Sequence, residues 1–218
     1  MITKCTQIFV DGTLKIAPKG FYQVVNIGGY IPEMGGIIPI FFIPTTGKSE
    51  YLYNIIFCDI KNILIENKID YKKITDKYMF NFEKSLQNTI RKNFEGVKIS
   101  GCYFYYVKKL WEKAKRFGLC TKVDIKVTKI LLFILKLMPY IQYDERIEIF
   151  TKIEEFYNNN DKYLRMIKYF KKTWLNNSYL NYEEITQKEY LNRTNNLLEN
   201  YHHLLNQNIE VFHPKLSY

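Results

Sequence analysis

The chain has 218 residues, 47% of them apolar, and a formal net charge of +10. That is enough for one sizeable core, and no run approaches the roughly 18 uninterrupted apolar residues of a membrane-spanning helix. The N-terminus lacks the basic-then-apolar pattern of a signal peptide, and Cys5, Cys58, Cys102 and Cys120 form no C-x-x-C pair, so free thiols in a reducing compartment are expected rather than a zinc site.

The first 45 residues read as strands. Gln7–Val10 and Thr13–Ala17 flank the pair Asp11-Gly12, and Phe21–Ile27 and Ile37–Ile43 follow across Gly/Pro-rich turns. The pattern predicts a three-stranded antiparallel meander, with Pro39 marking the third run as an edge strand or a bulge. Ser49 can cap a helix over Ser49–Asn67, in which Tyr53, Ile56, Phe57, Ile60, Ile63 and Leu64 recur at helical spacing. A short strand at Lys77–Phe80, a helix over Phe82–Asn93 and a strand at Val97–Ile99 come next. An amphipathic helix then carries Val107, Leu110, Trp111, Ala114 and Phe117 on one side and Lys109, Lys113 and Arg116 on the other. The order is β-β-β-α-β-α-β-α. From Thr121 onward the chain reads as helical, with an exposed loop at Asn158–Asn160. The final helix, Gln187–Asn206, has Leu197, Leu198, Tyr201, Leu204 and Leu205 on its core face.

Three antiparallel strands followed by alternating helices and parallel strands is the order of a ribonuclease-H-like fold. Five segments, in order from Gln7 to Leu216, resemble the catalytic domain of Mutator-like element (MULE) transposases: FVDGTLKIAPKGFYQVVNIGG, IIPIFFIPTTGKSEYLYNIIF, NFEKSLQNTIRKNFEGVKISGCYFYYVKKLWEKAKRFGL, KYFKKTWL and RTNNLLENYHHLLNQNIEVFHPKL. The resemblance implies an α/β domain over 1–218, a mixed sheet flanked by helices and interrupted by a helical insertion at 121–184. It also leads us to expect that the N-terminal DNA-binding module usual in the family is absent.

The family cleaves and transfers DNA strands with three acids that hold two divalent ions, Mg²⁺ or Mn²⁺. Such hard cations prefer anionic oxygen ligands, so carboxylates are the required side chains. By resemblance the first acid is Asp11. Read locally, Asp11-Gly12 is instead a hairpin turn. The third acid corresponds to Glu199, a metal ligand with Asp11, supported by Asn196 and His202. With Asn195 and His203 these lie three or four residues apart and would crowd one side of a helix. Read locally, that is a solvated polar face.

The second acid is where this chain departs. The family pattern is Asp-Phe-Glu, and this chain has Asn81-Phe82-Glu83. An amide keeps a neutral oxygen but loses the negative charge, so metal affinity and catalysis are expected to fall. Asn81 could instead cap the helix starting at Phe82, and neither Asp76 nor Glu83 can replace the missing acid without a register change. Tyr105 is a second departure, standing where the family's Gly-Cys-x-Phe-His pattern has His.

The positive charge points to a polyanionic partner, with DNA expected, although a Lys/Asn/Ile-rich composition also follows from AT-rich codons. Lys108, Lys109, Lys113, Lys115 and Arg116 flank Trp111, and Arg165, Lys168, Lys171 and Lys172 flank Tyr169, Phe170 and Trp174. Such residues supply a sequence-independent phosphate contact. Each cluster also reads as a solvated helix face, and both tryptophans as core residues. The expectation is a transposase-like domain with impaired catalysis, intracellular and nuclear in a eukaryote. It would be a fragment, a degenerate copy, or a component that depends on a second chain for target recognition, and a homo-oligomer is compatible with each. The alternative is a non-catalytic nucleic-acid-binding or interaction protein on the same fold.

Overall fold

A computed structural model describes residues 2–176 together with Thr194, Leu198, Asn200, Tyr201, His203, Leu204 and Gln207, with Tyr143 described by its backbone alone. The chain divides into two compact units, Met1–Cys102 with Glu189–Tyr218, and Tyr103–Lys188.

The first unit is built on a five-stranded mixed sheet. Its strands are β1 (Gln7–Thr13), β2 (Gln23–Ile31), β3 (Gly36–Thr45), β4 (Lys77–Phe80) and β5 (Lys98–Gly101), in the order β3-β2-β1-β4-β5. β1 runs antiparallel to β2, and β2 to β3. β4 runs parallel to β1 and β5 parallel to β4, and adjacent parallel strands need a crossover, here helical, because a tight turn cannot join them.

The meander differs from its sequence reading at one point that matters. Asp11-Gly12 is no hairpin turn. β1 continues straight through both residues, pairing Asp11 with Asn26 and Gly12 with Val25. The chain reverses later, between Thr13 and Gln23, where Gly20 adopts φ 96°. Pro39 lies on the edge strand β3, beside a register shift at Ile27/Gly28 that leaves Ile40 without an opposite residue. A bulge there absorbs the proline's missing N–H.

Helix α1 (Glu50–Glu66) begins where Ser49 accepts a hydrogen bond from the Leu52 N–H at 3.2 Å. It buries Tyr53, Ile56, Phe57, Ile60 and Leu64 against Ile8, Val10, Val25, Ile27 and Phe80. Each such aliphatic or aromatic side chain contributes about 1.5–3 kcal/mol when fully buried. Ile63, expected on this face, is 43% exposed, because it lies past the edge of the stripe. Helix α2 (Lys84–Asn93) adds Leu86 and Ile90 to the same core.

The opposite face of the sheet carries Phe9 and Met79, with the fully buried Leu198 packed on them and Tyr30 and Ile37 at the margin. Leu198, Asn200, Tyr201, His203, Leu204 and Gln207 are helical. Leu204, expected in the core, is 55% exposed, and Leu197 and Leu205 lie outside the described residues.

The second unit is helical: α3 (Tyr103–Arg116), α4 (Ile125–Leu137), α5 (Tyr143–Phe156) and α6 (Asp161–Phe170), the last running into a π-helical turn at Lys171–Leu175. The loop before α6 ends at Asn160, whose side chain caps the helix by accepting from the Lys162 N–H at 3.2 Å. Buried Trp174 packs edge-to-face on Tyr106 at 4.8 Å, and Phe150 stacks on Phe170 at 5.7 Å. No helix among the described residues is long and apolar enough to cross a membrane.

Leu198 reports directly on whether the C-terminal helix closes this face. Leu198→Ala should lower unfolding free energy by about 2–5 kcal/mol in urea titrations. A loss below about 1 kcal/mol would mean that Leu198 is not core.

Candidate functional site at the ends of two parallel strands

In a strand, successive side chains alternate between faces. Ile8 and Val10 point into the α1 core and Phe9 points to the Leu198 face, so Asp11 also belongs to the Leu198 face. The same alternation along β4 sends Tyr78 and Phe80 into the α1 core and Met79 to the other side. Asn81 follows one step beyond. Because Val10 is in register with Phe80 on parallel neighbours, the next residues of both strands come side by side. This is the carboxyl end of adjacent parallel strands, where open α/β sheets place ligand sites.

Asp11 and Asn81 meet there. Asn81 Nδ2 donates to Asp11 Oδ1, and the Gly12 backbone N–H donates to the same oxygen at 2.8 Å. Asp11 is 7% exposed, so these hydrogen bonds replace hydration that a carboxylate cannot lose without compensation. Asn81 therefore does not cap a helix. Helix α2 begins at Lys84, and Glu83 occupies the capping position without a side-chain bond to it.

The residue between Asn81 and Glu83 is strained. Phe82 has φ 37°, a left-handed conformation that bulky residues avoid. Its ring lies across Gly101 at the end of β5, and a Cβ at that position would collide with it. The strain is offset by this seat, available only because residue 101 is glycine.

Glu83 is directed elsewhere. Its carboxylate accepts from the Tyr53 hydroxyl at 2.6 Å and from Ser85 Oγ at 3.4 Å, and Lys48 Nζ stands 3.5 Å away. Gln23 Nε2 donates to the Tyr53 hydroxyl at 2.8 Å. Tyr53 belongs to the α1 core, so this relay lies on the face opposite Asp11. Gly12 leaves room for Gln23 Oε1, which a Cβ would strike. Asp76 sits at the other end of β4, 3.6 Å from Lys98. Neither acid replaces the one that residue 81 lacks. Sequence reading missed Gln23, Tyr53 and the seating of Phe82. The available signal was a glutamine and an asparagine inside the apolar run FYQVVNI.

Among the described residues, no group of three His, Cys, Asp or Glu side chains could hold a metal ion. At this strand end they supply one carboxylate, and its Oδ1 already accepts two N–H donors. That described donor set does not fit a pair of divalent cations. Glu199, Asn196 and His202 lie outside the described residues.

The basic clusters fall on the helical unit. On α3, Lys108, Lys109 and Arg116 are exposed. Lys109 pairs with Glu112 at 2.9 Å, holding that exposed carboxyl below its usual range chiefly through the hydrogen bond. Lys108 lies 5.6 Å from the Tyr105 ring, the side chain standing where the resemblance expects a histidine. Lys113 sits 4.9 Å from the Phe117 ring and 4.7 Å from Tyr169, tying α3 to α6. Lys168 and Lys172 are exposed, while Lys171 is held by Glu154 at 2.8 Å. None of the four cysteines is in a disulfide; Cys5 and Cys102 are buried thiols, and Cys58 and Cys120 are partly buried.

The chain matches no protein-family model and no curated protein sequence.

Burial, reinforced by the hydrogen bond to Glu83, pushes the Tyr53 hydroxyl well above its ordinary range. In the unfolded chain it ionises near about pH 10, whereas the folded protein keeps the proton. The folded state then binds more protons, so stability falls as pH rises. Tyr78, raised to about 12 by burial and then by Asp76, acts in the same direction. Tyr53→Phe removes one such group and should flatten the alkaline loss of stability in urea titrations from about pH 9 to about pH 11. At neutral pH it should cost about 1–3 kcal/mol, because Glu83 and Gln23 lose a partner. An alkaline slope identical to that of the natural chain would remove Tyr53 from the account.

Proposed function

We propose that this chain is a MULE transposase-like domain of ribonuclease-H-like fold that binds DNA and is impaired in metal-dependent strand cleavage and transfer. The observation that carries the reading is the meeting of Asp11 and Asn81 at the carboxyl ends of β1 and β4. Residues 70 apart in sequence are brought together where the resemblance expects its first two acids. The sheet order β3-β2-β1-β4-β5, with three antiparallel strands and then two parallel ones, supports the fold assignment. Glu199 would complete the triad, with Asn196 and His202 beside it. Mg²⁺ or Mn²⁺ would be the cofactor in an intact relative.

Impairment follows from charge. An acidic triad offers two cations three negative ligands, and an amide at residue 81 leaves two. The same observation favours a second reading, a non-catalytic nucleic-acid-binding protein that retains the fold. Strand nicking separates the two. The first reading expects weak nicking of supercoiled plasmid in Mn²⁺ once Asn81→Asp restores the missing charge, and the second expects none from either chain at any enzyme concentration.

DNA contact is assigned to the exposed basic faces of α3 and α6, where lysines alternate with aromatic rings. Phosphate binding of this kind releases counterions, so log K falls linearly against log salt, by about 0.9 per phosphate neutralised. Reversing Lys109, Lys113 and Arg116 together to Glu should weaken binding equally for unrelated DNA sequences. The slope should fall by roughly one for each phosphate that is no longer neutralised. Fluorescence anisotropy over a salt series reads both quantities, and an unchanged affinity in the triple variant removes α3 from the interface.

A further inference from the structure

We infer that the Asn81 carboxamide takes the place of a cation, so that this strand end is held together by a hydrogen bond independent of metal. The inference concerns the same site as the proposed function but needs only the Asp11–Asn81 geometry.

Asp11 is a buried carboxylate and requires positive or partly positive partners. A carboxylate oxygen offers about two lone-pair directions. On Oδ1 they are met by the Gly12 N–H and by Asn81 Nδ2. A cation bridging residues 11 and 81 through that oxygen would have to displace the amide. The amide's orientation is dictated by charge. Its N–H end attracts a carboxylate and its oxygen repels one, so only the nitrogen can face Asp11 at this separation.

The surroundings keep Asn81 there. Phe82 follows directly, seated on Gly101 in a left-handed conformation that turns the chain away from the strand direction after Asn81. No nearby acid among the described residues competes. Glu83 is bound by Tyr53, Ser85 and Lys48 on the opposite face, and Asp76 lies at the far end of β4. Asn26, across from Asp11 on β2, adds a polar neighbour without charge.

An aspartate at 81 would have nearly the same shape and no N–H. Two carboxylates would then face each other within hydrogen-bonding reach, to be reconciled either by a cation or, at a cost in stability at neutral pH, by a shared proton. Residue 81 thus decides whether the site depends on metal, apart from any role in catalysis.

The experiment uses the full chain without DNA, comparing thermal unfolding in EDTA and in millimolar Mn²⁺, with Mn²⁺ binding followed by electron paramagnetic resonance. The natural chain should show the same Tm in both solutions. Asn81→Asp should melt lower in EDTA and recover in Mn²⁺, since a ligand bound only by the folded state stabilises it by mass action. It should also bind Mn²⁺ at least about tenfold more tightly, because ligand charge count sets affinity at such sites. Asn81→Ala should melt lower in both solutions and gain nothing from Mn²⁺. The reciprocal double variant, Asp11→Asn with Asn81→Asp, restores one donor facing one carboxylate. It should fold in EDTA even if Asn81→Asp does not.

The inference is overturned if Mn²⁺ stabilises the natural chain as much as Asn81→Asp. It is equally overturned if Asn81→Asp matches the natural chain in EDTA, or if the double variant needs Mn²⁺ to fold. These outcomes are read as melting temperature and Mn²⁺ binding without DNA, whereas the proposed function is read in nicking and salt-dependent DNA binding, so failure of one is distinguishable from failure of the other.

Discussion

A carboxylate taken out of water must acquire donors or a cation, and the arrangement around Asp11 follows from that requirement. Its burial comes from its place on β1, a central strand with partners on both sides. Once there, it draws the first residue beyond β4 toward it. The Asn81 amide supplies a neutral answer to a charged problem. The effective penalty for a buried ion is several kcal/mol, so whatever satisfies Asp11 also governs how the ends of β1 and β4 are held.

The two faces of the sheet solve their polar problems separately, and strand alternation keeps them apart. On one side Asp11 meets Asn81 near the apolar patch of Phe9, Met79 and Leu198. On the other, Gln23, Tyr53, Glu83 and Lys48 form a relay that anchors the start of α2 to α1. Phe82 is the hinge between them, its strained backbone sending residues 81 and 83 to opposite faces. Two acids adjacent in a sequence motif are therefore not equivalent in chemistry.

The basic surface of the helical unit is more heterogeneous than a charge count suggests. Lys109 and Lys171 are engaged by Glu112 and Glu154, and Lys113 lies over two aromatic rings. Exposed ion pairs of this kind add little stability, but they set which positive charges face solvent. Lys108, Arg116, Lys168 and Lys172 are exposed.

Much of the first unit was legible in the sequence, because hydrophobic period is a local property. The apolar runs of β2 and β3, the stripe of α1 and the cap at Ser49 all lie within a few residues of the positions they govern. The element order through α3 follows from the same local signals. Asp11-Gly12 was ambiguous, since the pair suits a tight turn as well as a strand. The choice was made by Asn26 and Val25, which pair across from it. Tertiary structure likewise decided that Asn81 bonds to Asp11 rather than capping a helix, and that Glu83 faces Tyr53. These depend on residues 30 to 70 positions away. Sequence by itself determined where the chain is apolar, where it turns and where its charges lie. Only the tertiary structure decided which polar groups share a buried space, because desolvation is set by what packs against a side chain and not by what precedes it.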